Sequence, residues 1–261
     1  MRKRSEISWE EAILKVVEDR GGVATLKELY QNVPKIRKTT SSSDVNHVIR
    51  AYLRRMTKIS GKLKRVGLGI YALPDTELKN SLFNDIKRGK TEKEILQSLE
   101  SESLHYYVEG ILVELGNIYG YLTYTADYSA LFNGKPLGEI ATLERIPEFT
   151  SKQLLDIIKE IDVIWFSKRS SIPMPKHTFD VEITTDFSKA LFRAFQLKDF
   201  RTNFYMIAPK NKYNQFQKKI TVEPYSEIKD RVFFRSVEDI FLLYEYAIKH
   251  YELKEKIIVE T

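Results

Sequence analysis

Ile161-Asp162-Val163-Ile164-Trp165-Phe166 and then Thr178-Phe179-Asp180-Val181-Glu182-Ile183-Thr184 are two short apolar runs with acids set into them. Their length and their β-branched and aromatic content read as strands. The first is almost continuously apolar, as in a strand buried on both faces. The second alternates. Side chains alternate across a strand, so Asp180 and Glu182 share one face and Phe179, Val181 and Ile183 the other. A buried, unpaired carboxylate costs several kcal/mol. Such acids therefore pair with Lys or Arg, lie in water at strand ends, or hold a cation. One Asp in one strand fits the first two explanations. Asp162 together with Asp-x-Glu on an adjacent predicted strand points to a hard divalent ion, Mg2+ or Mn2+ in its place. An ion so held suits phosphodiester hydrolysis.

Helical periodicity surrounds these runs. Ser151–Glu160 precedes the first, and Ser188–Leu197 follows the second, with Lys189 and Arg193 one turn apart. Asn203–Ala208 is a further strand and Tyr121-Leu122-Thr123-Tyr124 an earlier one. Leu104–Leu115 is a helix with Leu104, Val108, Ile111 and Leu115 as its stripe and Glu109 beside it, one turn from His105. Ile172-Pro173-Met174-Pro175 is a stiff loop before the second strand, with Lys176 and His177 between. Val237–Tyr251 forms an amphipathic helix on Ile240, Leu243, Tyr244, Ala247 and Ile248. The alternation of helices and strands predicts an α/β domain with a central mixed sheet flanked by helices.

The first part of the chain differs in pattern and charge. Residues 1–73 carry a net charge of +9, whereas the remainder carries −3. Ser8 and Glu11 form a capping-box signal before Ala12, Ile13, Val16 and Val17. Gly21-Gly22 stops that helix. Leu26–Val33 is a second helix ended by Pro34, and a polar loop spans 39–43. The third helix, capped by Ser43 or Asp44, has Val45, Val48, Ile49, Tyr52, Leu53 and Met56 on one face and Asn46, Arg50, Arg54 and Arg55 on the other. Leu63–Val66 and Ile70–Leu73 form a hairpin about Gly67-Leu68-Gly69. Three helices and a hairpin make a winged helix-turn-helix. In such modules the third helix enters the major groove of duplex DNA and the wing touches backbone. Asn46, Arg50 and Arg54 are the expected groove or phosphate contacts, and Lys62, Lys64 and Arg65 the wing contacts. Use of the module on protein is the alternative. The expected divisions are a winged helix over 1–74, a polar helical connector over 75–100, with Thr91 and Glu94 capping its second half, and the acid-bearing domain over 101–261.

Composition removes several classes. The chain has 261 residues, 43% hydrophobic, a net charge of +6 and no cysteine. Thiol nucleophiles, thiolate zinc sites and iron–sulfur clusters are excluded. No apolar run approaches the ~20 residues of a membrane helix. Met1–Arg4 is basic but leads into polar residues, so no secretory leader is expected and the location expected is cytoplasmic.

Two resemblances sharpen this reading. Ile7–Leu14, the double Gly and Val66–Leu73 resemble the HARE-type winged helix, which is associated with DNA-modification and restriction systems. Residues 104–210 resemble the PD-(D/E)XK, or restriction-endonuclease-like, superfamily. That resemblance implies Asp162 as the metal-binding acid of the first motif strand, Asp180 as the second acid and Glu109 as the acid of the first core helix. Phe179–Thr185 with Leu191-Phe192-Arg193, and Leu131–Leu143, are similar to an uncharacterised branch of such proteins. Glu182 stands where the superfamily usually has Lys. Lys189 and Arg193 are then candidates to return positive charge to the site, and Tyr124–Asp127 ranks below them. The implied function is a Mg2+-dependent endonuclease on double-stranded DNA, acting as a homodimer to cut both strands. The alternative is a catalytically silent DNA-binding or regulatory protein on the same fold, favoured by the missing Lys.

Overall fold

A computed structural model of the chain describes residues 7–39, 43–78, 81–168 and 171–257. Met1–Arg4 and residues 40–42 of the expected polar loop lie outside the described residues. The chain divides into two compact units. One is made of the residues up to Asn84 with Asn133–Lys135 and the chain end from Leu253; the other holds Asp85–Phe132 and Pro136–Glu252.

In the first unit α1 (Trp9–Asp19) opens with the expected capping box, Ser8 and Glu11 each bonding the other's backbone N–H. β1 (Val23–Thr25) follows the double glycine, and α2 (Leu26–Arg37) starts on a second capping box, Thr25 with Glu28. α2 does not end at Pro34. It carries Pro34 inside and runs one further turn to Lys38, whose φ of 54° stops it. Proline disfavours helix at the residue before it, but Val33 and Pro34 are both buried, and that packing holds the turn. α3 spans Ser43–Lys58. Val45, Ile49, Leu53 and Met56 face the core of this unit, with Ile13, Val16, Leu29 and Val33. β2 (Lys64–Arg65) and β3 (Ile70–Ala72) form the hairpin, and β1 pairs with β3 to give the order β1-β3-β2. β1 has too few residues to show a period of two, so its sequence carries only the helix stop.

α4 (Leu82–Lys87) and α5 (Glu92–Ser98) follow. Gly89, with φ of 82°, separates them, and Thr91 and Glu94 form the expected capping box. The division between the units falls inside α4. Within the connector expected over 75–100, helix begins at Leu82.

The second unit is a mixed α/β layer structure. Its helices are α6 (Ser101–Ile118), α7 (Leu137–Ile140), α8 (Lys152–Ile158), α9 (Ser188–Gln196), α10 (Tyr213–Ile220) and, as far as Glu252, α11 (Val237–Ile257). Its strands are β4 (Leu122–Thr125), β5 (Leu131–Phe132), β7 (Val163–Phe166), β8 (Pro175–Val181), β9 (Asn203–Ala208) and β10 (Val232–Ser236), and the two-residue β6 (Lys135–Pro136) straddles the division of the units. The five-stranded sheet has the order β10-β9-β8-β7-β4. β4, β7 and β8 pair antiparallel; β8, β9 and β10 pair parallel. The edge strand β10 was not anticipated, since Val232–Ser236 alternates weakly.

Ile164, Phe166, Phe204 and Met206 point from one face of the sheet into a core shared with Leu191 and Ala194 of α9. Each such buried side chain contributes about 1.5–3 kcal/mol. α6 packs on the sheet as well. Trp165 Nε1 donates to the Leu112 carbonyl at 3.0 Å, and a Cβ at Gly116 would lie 2.5 Å from that nitrogen. α6 is buried all round from Tyr107 to Gly116, well beyond the expected four-residue stripe. On α11 the buried seam is Ile240, Phe241, Tyr244, Ala247 and Ile248; Leu243, expected in it, is 41% exposed.

Candidate metal centre

The second acid run shifts by three residues from its expected span. β8 begins at Pro175 and ends at Val181. Proline lacks an N–H and fits the first position of a strand, so Ile172–Pro175 is loop only up to Met174. Lys176 and His177 lie within β8 rather than before it. Asp180 is the penultimate residue of β8, and Glu182 lies one residue past its end, its N–H still donating to Ile207 O at 2.8 Å. Ile183 lies outside the strand, so the expected opposite face is carried by Phe179 and Val181.

The β7–β8 register pairs Val163 with Phe179. Continued by one residue, it sets Asp162 level with Asp180. Asp162 precedes β7 and uses its carboxylate to cap β8: Oδ2 accepts from the Val181 N–H at 2.6 Å. From α6, Glu109 and His105 project toward the same place, four residues apart and so on one helix face. His105 Nε2 lies 3.2 Å from Glu109 Oε1, 3.9 Å from Asp162 Oδ2 and 3.9 Å from Asp127 Oδ2. Asp127 stands on the loop after β4, which the Ala126 N–H pins to the Asp162 carbonyl at 3.1 Å. From α9, the Arg193 Nε donates to Asp180 Oδ1 at 2.9 Å, and Nη2 donates to the same oxygen. Thr185 Oγ1 donates to Glu182 Oε2. Lys212 Nζ donates to the carbonyls of Glu182, at 3.1 Å, and Thr185, at 2.6 Å.

Burial dominates the electrostatics. It pushes Glu109, fully buried, up to about 8, aided by the charges of Asp162 and Asp127 and opposed by His105. It raises Asp162 and Asp180 above the usual carboxylate range, against the pull of His105 on the first and Arg193 on the second. Burial pulls His105 down, but its close ion-pair contact with Glu109 and the charges of Asp162 and Asp127 carry it up to about 9. Both oxygens of Glu109 and Oδ2 of Asp180 are buried without a hydrogen-bond donor. Five carboxylates thus meet one guanidinium and one imidazole, with oxygen lone pairs to spare. That donor set fits a hard divalent cation. A cleft of about 410 Å³, lined by His105, Tyr106, Asp127, Val181 and Thr184 among others, opens onto it.

The sequence singled out Asp162, Asp180, Glu182 and Glu109, and these four acids gather at the end of β8. Arg193 is engaged with Asp180, whereas Lys189, one turn earlier, is exposed. His105 had been noted only as a neighbour of Glu109. Its i, i+4 spacing was the signal that could have found it. Asp127, the last residue of the lower-ranked Tyr124–Asp127 stretch, reaches the cluster on the loop after β4; Lys212 reaches it by chain folding and carried no such spacing. His177 lies among Tyr121, Trp165 and Tyr205 and takes no part in the cluster.

In the first unit Arg50 is exposed on α3, while Asn46 and Arg54 are half-buried. Lys62 Nζ pairs with Glu10 at 2.7 Å. Lys64 Nζ donates to the carbonyls of Pro74 and Thr76 at 2.8 and 2.6 Å. Arg65 donates to the carbonyls of Gly67 and Leu68 at 3.1 and 2.6 Å. The lysines and arginine of the hairpin thereby tie the turn to its own unit.

The fold and site together define a mixed α/β protein with an acid cluster where the central strands end. The chain belongs to the family of the type II restriction enzyme NmeDI C-terminal domain, whose profile matches residues 85–258. No curated protein sequence matches the chain. Among solved structures, the crystal structure of the pre-specific restriction endonuclease BsaWI–DNA complex is similar over 96% of each chain, at 9% identity and a TM-score of 0.31. Among the described residues no helix is long and apolar enough to cross a membrane.

Proposed function

We propose that this protein is a divalent-metal-dependent endonuclease of the restriction type, acting on double-stranded DNA. The observation that carries the reading is the gathering of Asp162, Asp180, Glu182 and Glu109 at the end of β8, in a chain whose family is named for a restriction enzyme. Asp162 and Asp180, with Glu182, are the residues that would hold Mg2+, or Mn2+ in its place. A cation bound there would polarise a phosphate oxygen and lower the pKa of a water. The chain's own side chains prepare for it. Arg193 fixes Asp180 through two donors to one oxygen and leaves the other oxygen free. Glu182, steadied by Thr185, is placed to accept a proton from an attacking water in the absence of the usual Lys. Lys212, held on the carbonyls of Glu182 and Thr185, adds positive charge beside the cluster, and Lys189, exposed on α9, remains a candidate to do the same. Glu109 assists from α6.

The first unit is read as a winged helix of the HARE type, with divisions at 1–74, 75–100 and 101–261. Its helix–strand order, its hairpin and its +9 charge over 1–73 support this. Arg50, with Asn46 and Arg54, would meet DNA; Lys62, Lys64 and Arg65 would have to leave their present partners to do so. Cutting both strands favours a homodimer, and the substrate places the protein in the cytoplasm. The silent DNA-binding reading keeps one supporting observation, Glu182 in place of Lys.

The test is cleavage of duplex DNA, modified and unmodified, in Mg2+, Mn2+ and EDTA, with Asp180→Ala and Glu182→Ala beside wild type. Metal-dependent cutting lost in both variants is expected. No cutting of any duplex, with no cation bound, overturns the enzyme in favour of the silent protein.

A further inference from the structure

The acid cluster has two halves with different chemistry. On the α9 side, Asp180 is committed to Arg193 and the donors are all oxygen. On the α6 side, the donors are His105 Nε2, Glu109 and Asp127, and the ligand atoms of these three all lie within 4.8 Å of one another. Asp162 stands between the halves, capping β8 with Oδ2 and holding that oxygen 3.9 Å from His105.

We propose that His105, Glu109 and Asp127 form a cation site of their own, whose imidazole donor favours a transition-metal ion such as Mn2+ over Mg2+. The inference rests on reading the cluster as a cation-dependent centre and adds to it the second site and its metal class. Ligand atoms about 2.0–2.2 Å from one ion stand about 3–4 Å apart. The separations of 3.2 Å from His105 to Glu109 and 3.9 Å from His105 to Asp127 fall in that range.

A second, independent observation points to a ligand. Glu109 is 0% exposed, and neither of its oxygens has a hydrogen-bond donor. A carboxylate so placed is costly unless something positive meets it. The neighbouring imidazole meets one oxygen at ion-pair distance and leaves Oε2 without a partner. α6 fixes the arrangement, because it is buried on every side at Glu109 and holds His105 one turn away. The cleft lined by His105 and Asp127 gives an ion access from solvent. An imidazole nitrogen suits Mn2+, Co2+ or Zn2+, whereas Mg2+ takes carboxylate, carbonyl and water oxygen.

The test loads Mn2+ onto the full chain as wild type, His105→Ala and Asp180→Asn. Imidazole-nitrogen modulation of the Mn2+ electron spin echo is recorded, with calorimetric affinities for Mn2+ and Mg2+ and a thermal melt of each variant. The modulation is expected in wild type and in Asp180→Asn and absent from His105→Ala. Mn2+ affinity in His105→Ala is expected to fall at least about 10-fold, the scale set by loss of even an outer-shell partner. Mg2+ affinity is expected to change less. Bound Mn2+ with no nitrogen modulation in wild type overturns this site but leaves the oxygen-only centre and the nuclease reading standing. Modulation that survives in His105→Ala also overturns it. Failure of wild type to bind Mn2+ at all overturns both readings. If His105→Ala does not fold, His105→Gln takes its place, with the same loss of modulation expected and its survival overturning the site.

Discussion

Glu109→Gln tests the electrostatic account of the cluster without DNA. Glu109 has an ordinary value of 4.5 and is held up to about 8 in the folded chain. Between those values the folded protein keeps a proton that the unfolded chain releases. Stability therefore falls as pH rises through this window, by about 1.4 kcal/mol for each pH step of one. At pH 7 the accumulated loss is about 3 kcal/mol, and at pH 5 it is under about 1 kcal/mol. Glutamine keeps the shape, leaves an amide oxygen facing His105 and does not ionise. Losing the charged character of the His105 contact offsets about 1–2 kcal/mol of the gain. The metal-free variant should then be about 1–2 kcal/mol more stable than wild type at pH 7, and no more stable at pH 5. The assay is urea unfolding in EDTA at both pH values. A Trp9→Phe background leaves Trp165, the other of the two tryptophans, to report on the sheet packed against α6. A variant less stable than wild type at pH 7, or a difference that does not change with pH, would refute the reasoning.

Three further outcomes follow from the geometry. Gly110→Ala brings a Cβ to 2.2 Å from Phe132; it should cost about 1–3 kcal/mol in urea unfolding, and a neutral result would contradict the close approach of α6. Arg50→Ala should weaken duplex binding and flatten its log–log salt dependence by about 1. Lys64→Ala, whose ammonium is spent on two carbonyls, should leave that slope unchanged and lower stability by about 1 kcal/mol; equal effects of the two on the slope would oppose this assignment. Divalent-cation affinity should rise from pH 6 to pH 8 and beyond, because Glu109, Asp162 and His105, all raised, must release protons before they can ligate; a pH-independent calorimetric affinity would speak against these groups as ligands.

Much of the fold was legible where local chemistry decides it. The Ser8 and Thr91 capping boxes, the Asp180-x-Glu182 alternation and the apolar run after Asp162 each carry their structure within a few residues. The errors arise where tertiary packing overrides local preference. α2 passes through Pro34 because Val33 and Pro34 are buried. α11 buries Phe241 in place of Leu243, a choice between two apolar residues that only the partner surface makes. β8 starts at Pro175 because a strand's first residue needs no donor toward its neighbour. The four acids of the cluster could be named from strand alternation and helix phase. Asp127 could only be ranked low, within Tyr124–Asp127, and Lys212 could not be placed, since they arrive on a loop and after a chain reversal. His105 lay between these cases, with the spacing visible and the partner unknown.

The central claim is that the acids at the end of β8 cut DNA rather than merely shape a DNA-binding surface. Asp162→Asn keeps the size of the side chain and its ability to accept from the Val181 N–H. The most direct measurement puts wild type and Asp162→Asn on the same duplex with Mg2+ and reads binding and cutting from the same samples. The account predicts equal binding with cleavage lost in the variant. Cleavage by Asp162→Asn at the wild-type rate would contradict it.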